Sequence, residues 1–289
     1  MMYAYLVMAM AFSAAITVSG RLYNTKNAGL THISCLYNVI VPISATLGWF
    51  VFWCRDFSFD IHVLPYSFLY GIGYSCFTFG ILNALKNGST SLTALAKQLS
   101  LVGVSIWGFL FWDTRFTAAT IIGIVLIVIS LVLCLFTKER GGNSGNLFKW
   151  LFFAALTAAG NAGCSIIQKY QQLAFHYQHK NMFMFFGVLF ASVFCLLLAC
   201  KEDKQNWPVA FKKSWMFPAL AGLSSSFSNS CILLLIRQEM SPAIIYPGVA
   251  VGGLMITIFI SLLCFRERIR PLQWCGLAIG AVALVLLSV

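Results

Sequence analysis

A lysine interrupts a run that is otherwise fit to cross a bilayer. Residues 89–112 read STSLTALAKQLSLVGVSIWGFLFW, with Lys97 near the middle. Spanning takes about 20 mostly apolar residues, and an ionised lysine at the centre of such a helix costs roughly 2.5–3.5 kcal/mol. Ser89, Thr93, Lys97 and Ser100 fall at helical spacing and share one face, with the amide of Gln98 beside them. Snorkelling is disfavoured, because Lys97 lies eight residues from Ser89, roughly 12 Å at helical rise. Two readings stay open: Lys97 lines a water-filled path or a ligand site, where it supplies positive charge, or backbone carbonyls partner it.

Other apolar runs carry polar stripes at the same spacing. Asn161, Ser165 and Gln168 share a face, with Lys169 next to them; Ser225, Ser226 and Asn229 do likewise in the hydroxyl-rich SSSFSNS run. Tyr66, Tyr70 and Tyr74 recur every four residues, and Ser13 and Thr17 repeat near the N-terminus. Membrane hydroxyls commonly serve helix–helix hydrogen bonds, worth about 0.6 kcal/mol each. Asparagines cost more to bury, so Asn161 and Asn229 point more firmly to a ligand. Tyr74 lies too deep for an aromatic belt at the membrane surface. The candidate substrate-binding set is therefore Lys97, Gln98, Thr93, Ser100, Tyr74, Tyr70, Asn161, Ser165, Asn229 and Ser225.

These residues need helices to hold them. The chain is 60% hydrophobic and only 9% charged, against about a quarter charged in soluble domains, so an all-α membrane protein is expected. Apolar segments fall at about 2–20, 33–54, 63–85, 89–112, 116–136, 147–168, 181–200, 214–236, 242–265 and 271–289, giving ten expected transmembrane helices. The hydrophilic stretches KERGGNSGN (138–146) and KEDKQNWPVAFKKS (201–214) read as the longer connections. Sliding the chain by 153 residues lays 84–133 on 237–286 without a gap; Leu101 meets Leu254, Arg115 meets Arg268 and Gly123 meets Gly276. Five spans per half put the second half upside down. The expected organisation is a first repeat over 1–137, a linker over 138–146 and an inverted second repeat over 147–289. That is a plan used by secondary transporters, with the site near the midplane.

The pattern S-P-A (241–243), a glycine-containing span, the charged turn F-R-E-R-I-R-P-L-Q (265–273), then Gly276 and Gly280, resembles an EamA-type half. A-L-K-N-G-S-T (84–90) gives the first half the same layout. The chain thus resembles the ten-helix branch of the drug/metabolite transporter superfamily. The resemblance implies the fold and a metabolite-transport activity, and leaves the substrate unspecified.

Two prolines lie within spans. Pro42 removes a backbone donor and frees the carbonyl of Asn38. Pro247 precedes Gly248, with Gly252 and Gly253 one turn on. Pro42, Pro247 and Gly248 are candidate hinges; for the glycines, simple tight packing is an equal alternative.

Absences narrow the function. Every Asp and Glu falls in a loop or at a span end, so no mid-membrane carboxylate stands ready to exchange a proton for a cationic drug. No H-E-x-x-H, G-x-S-x-G or Walker motif is present, so an enzyme is not expected. Ten cysteines include no C-x-x-C pair, so neither a metal nor a cofactor is expected. The net charge of +11 comes from short loops and suits anionic headgroups, not nucleic acid.

The leading reading is a multi-pass secondary transporter of the plasma (cytoplasmic) membrane, a monomer or homodimer. It moves an anionic, zwitterionic or neutral polar metabolite by alternating access. A coupling ion (H+ or Na+) or a counter-substrate is its further expected partner besides lipid. The alternative from another class is a non-transporting membrane sensor or scaffold. Arg55, Arg115, Lys169, Lys180 and Arg237 occupy even-numbered loops; apart from Lys97, the other thirteen of the nineteen Lys and Arg sit in odd-numbered loops. Positive residues favour the cytoplasm, so the count places both termini outside, whereas the resemblance implies cytoplasmic termini.

Overall fold

The computed structural model describes residues 2–30, 33–88, 90–97, 99–112, 118–136, 147–176, 178–200, 204–238, 242–265 and 271–286. The apolar segments fall on helices: α1 (Met2–Lys26), α2 (Ser34–Arg55), α3 (Leu64–Asn87), α4 (Thr90–Lys97), α5 (Leu99–Phe111), α6 (Ala118–Phe136), α7 (Leu147–Ala174), α8 (Lys180–Ala199), α10 (Met216–Arg237), α11 (Pro242–Cys264) and α12 (Pro271–Leu286). Among the described residues no strand occurs, and six helices are long and apolar enough to cross a membrane. The chain is an all-α membrane protein. In hydrocarbon every backbone polar group must be paired internally, and a helix does that within its own segment.

The run over 89–112, expected as one span, is described as two helices, α4 and α5, on either side of residue 98, and one further element departs from the sequence expectation. The hydrophilic stretch read as a connection contains a short helix, α9 (Trp207–Ser214), with Pro208 in its first turn. Proline suits that position because the first-turn amides have no partner inside the helix. Ala210 and Ser214 dock the helix, and Asn27 Nδ2 donates to Ser214 Oγ at 2.6 Å. Helices α1 and α7 also run past their apolar segments, to Lys26 and Ala174.

Packing follows a small set of pairs. Helix α3 lies against α7 and α8, α10 against α1 and α2, α1 against α11, α7 against α4 and α5, α2 against α8, and α6 against α12. Glycine permits a close approach between α3 and α7. A Cβ on Gly160 would sit 2.6 Å from the Phe77 nitrogen and 2.7 Å from the Gly73 oxygen. The α2–α10 crossing is tighter still, because a Cβ on Gly222 would run into the Val41 carbonyl just before Pro42.

One end of the bundle is sealed. Arg21 Nη1 donates to the carbonyl oxygens of Leu85 (2.8 Å) and Gly88 (3.3 Å), and Asn24 Nδ2 to that of Leu82 (3.1 Å). The Trp150 indole lies flat on Gly88, where no side chain could fit, and its Nε1 donates to Thr93 Oγ1 at 3.2 Å. Tyr23, Tyr37 and Trp150 are fully buried in this layer.

Candidate functional site

Helices α1, α3, α4, α5, α7, α10 and α11 enclose a cavity of about 180 Å³. Of the ten sequence-derived candidates, Lys97, Ser100, Tyr70, Tyr74, Asn161, Ser165, Ser225 and Asn229 line it. The physical reason is common to them: a polar side chain on a membrane helix must turn from lipid toward protein or a cavity, and their spacing puts each set on one face.

Lys97 ends α4 with 9% of its surface exposed. Its Nζ donates to Ser13 Oγ at 3.4 Å, a long bond, and lies 5.7 Å from the centre of the Phe77 ring. Among the described residues no carboxylate lines the cavity. An ammonium has three donors, so one weak hydroxyl bond and an aromatic face leave it poorly compensated. Across the cavity, Asn161 Nδ2 donates to Ser100 Oγ at 2.7 Å, tying α7 to α5. Ser165 Oγ donates to the Asn161 carbonyl at 3.0 Å.

Helix α10 supplies the other polar wall. Asn229 Nδ2 donates to the Ser225 carbonyl at 2.9 Å; because that partner can only accept, the amide oxygen Oδ1 is the end left for a ligand. Tyr74 Oη donates to Ser225 Oγ at 3.3 Å. The rings of Tyr70 and Tyr74 stack at 6.1 Å, and Phe77 continues the row 6.2 Å beyond Tyr74. Among the described residues the cavity therefore joins one cation, hydroxyls, the amides of Asn161, Gln168 and Asn229, and an aromatic wall.

Its mouth faces the C-terminal end of α7, where Ser165 is exposed and Gln168 partly so. At the same end a wider recess of about 810 Å³ lies between Arg55, Asp56, His179 and Lys180. The opposite end is the sealed layer of Trp150 and Arg21.

One candidate stands elsewhere. Thr93 is buried and accepts the Trp150 indole, which places it in the seal and not in the cavity wall. Gln98 lies outside the described residues. Other stripe members also have structural roles: Tyr66 packs edge-on against Phe175, and Ser226 Oγ donates to the Ala45 carbonyl at 2.9 Å.

Of the candidate hinges, Pro42 lies inside α2, one turn from a buried Asn38 whose Nδ2 and Oδ1 have no hydrogen-bond partner among the described residues. Pro247 belongs to the α11 backbone, and its side chain lies outside the described residues. Gly248 and Gly252 receive Leu6 and Met10 of α1, and Gly253 faces Ser13. That is the tight-packing alternative for the α11 glycines.

Sequence reasoning missed Phe77, Cys164, Ser228 and the apolar lining residues Ile16, Ile232, Val249 and Ala250. Phe77 carried a usable signal, lying one helical turn beyond Tyr74 on the face of Tyr70 and Tyr74.

No family model and no curated protein matches the chain. A solved crystal structure, described only as that of a protein, aligns with it at a TM-score of 0.62 and 11% identity, covering 96% of this chain and 95% of the other. The likeness is one of fold.

Proposed function

We propose that the chain is a secondary active transporter, built as two inverted repeats of five transmembrane helices, that moves a small polar metabolite across the cytoplasmic membrane. The observation that carries this reading is Lys97, a buried, poorly compensated cation in a small cavity with one end sealed and the other exposed. A site of this kind takes an anionic, zwitterionic or neutral polar molecule and repels a permanent cation, because like charges repel strongly where water is scarce. The carboxylate end of an amino acid or related compound meets Lys97, and an N–H donor meets Asn229 Oδ1.

The packing pairs support the repeat. Exchanging α1 with α7, α2 with α8, α3 with α10, α4–α5 with α11 and α6 with α12 turns α1–α10 into α7–α3, and α2–α10 into α8–α3. It also turns α1–α11 into α7–α4 and α7–α5, and leaves α2–α8 and α6–α12 unchanged. Such a set suits a two-fold relation between halves, and odd-numbered halves make that axis lie in the membrane plane. Alternating access follows as the exchange of the sealed and open ends. The EamA-type resemblance agrees with this organisation.

Reconstitution in proteoliposomes tests the reading. The expected result is saturable flux of a metabolite first found by thermal-shift screening, abolished in Lys97→Met while the variant still folds. Binding without flux identifies a sensor or scaffold instead, and saturable flux of a quaternary ammonium compound undiminished in Lys97→Met overturns the site assignment.

A further inference from the structure

Helix α9 presents two kinds of residue outward. Phe211 is half exposed, and Trp215, one turn on and just beyond the helix, extends it into an apolar ledge, while Val209 and Met216 are exposed on the far side of Lys212. Lys212 and Lys213 are exposed beside them, and Lys204 precedes the helix with its Nζ 5.6 Å from the Trp207 ring centre. Phe211 and Trp215 stack at 6.3 Å, which makes the ledge one surface.

The setting supplies the partner's chemistry. Asn27 holds α9 at the end of the molecule where α1 terminates. Lys26 and Lys86 end α1 and α3 there, and Lys149 begins α7. The described carboxylates, Asp56 and Asp60, lie beyond the C-terminus of α2 at the other end. In sequence, the thirteen cations of the odd-numbered loops face only Glu139, Glu202, Asp203 and Glu267. A short helix with an aromatic ledge and adjacent lysines, at the rim of a membrane protein, matches the pattern of helices that rest in the headgroup region of anionic bilayers.

We propose that α9 with Trp215 is a docking foot for anionic phospholipid headgroups: Phe211 and Trp215 enter the acyl boundary while Lys212, Lys213 and Lys204 engage lipid phosphates. The foot sits on the leaflet richer in anionic lipid, and it ties α1 and α10 to that leaflet through Asn27 and Ser214. This site is separate from the central cavity and does not depend on what the cavity carries.

Brominated lipids test the assignment in the full-length protein. Vesicles of phosphatidylcholine receive equal mole fractions of brominated phosphatidylglycerol or brominated phosphatidylcholine. The Trp215 signal is isolated as the difference from Trp215→Phe. Both lipids should quench Trp215, with the anionic one about twofold more effective at low salt. The preference should vanish in the Lys212→Gln/Lys213→Gln variant and persist in Lys180→Gln at the other end. Equal quenching by the two lipids overturns the headgroup assignment. An unquenched Trp215 overturns the foot altogether, because the ledge is then covered by a protein partner or a second copy of the chain.

Discussion

Replacing Asn38 by leucine should make this protein more stable. Asn38 is 3% exposed, and both polar atoms of its side chain are buried without a hydrogen bond. Four residues on, Pro42 supplies no N–H, so the Asn38 carbonyl also loses its usual helical donor. A buried polar group left unpaired costs about 1–3 kcal/mol, so deleting two gains roughly 2–6 kcal/mol. Leucine keeps the branching but is bulkier, and overpacking gives back about 1–3 kcal/mol. The net gain is about 1–3 kcal/mol, or roughly 2–12 °C at the 2–4 °C per kcal/mol typical of larger domains. Thermal unfolding in detergent, followed by tryptophan fluorescence, measures it. Asn38→Leu/Pro42→Ala should gain further, because residue 42 regains a donor for the carbonyl at 38. If α2 hinges there, the same variants should bind ligand normally and transport it slowly. A lower Tm for Asn38→Leu, with Asn38→Gln retaining stability, would refute the reasoning by showing that the amide is satisfied.

Three further outcomes follow from the geometry. Gly160→Ala should destabilise by about 1–3 kcal/mol, since its Cβ meets α3 backbone that cannot rotate away; Gly163→Ala, with nothing within 4 Å, is the control that should leave Tm unchanged. Trp150→Ala should open the sealed end, so that Cys164 in the cavity reacts with a small impermeant thiol reagent from both sides of the membrane and not from one. The exposed Cys54 at the C-terminal end of α2 should be labelled in intact cells and Cys200, just beyond α8, only after lysis; the reverse pattern shows that the loop charge count gives the wrong orientation.

The cavity was largely legible because polarity inside an apolar run is conspicuous and expensive. Lys97, Asn161 and Asn229 stand out for that reason, and period 3.6 fixes which neighbours accompany them. Thr93 shows where the logic ends. It shares the face of Lys97, but one turn away α7 delivers Trp150 instead of open space, and a face says nothing about what lies opposite. Ile16, Ile232 and Val249 were illegible because an apolar side chain looks the same whether it meets lipid, core or cavity. Helix α9 was hidden by its eight residues, too few for a period to emerge among Pro208, Lys212 and Lys213.

The construction of the α4–α5 region bears on how the chain is made. Helices α4 and α5 lie on either side of residue 98, which is outside the described residues. Helix α4 carries Thr93 and Lys97 and packs on α7 and α11. Both of those partners emerge from the ribosome after it. When α4 is first threaded toward the bilayer, its lysine has only α1 and α3 for company. A nascent chain ending near residue 137 should therefore leave this region at the translocon or hand it to quality control. Secure insertion should then wait for α7 and α11, and a chain cut near residue 137 should not mature alone.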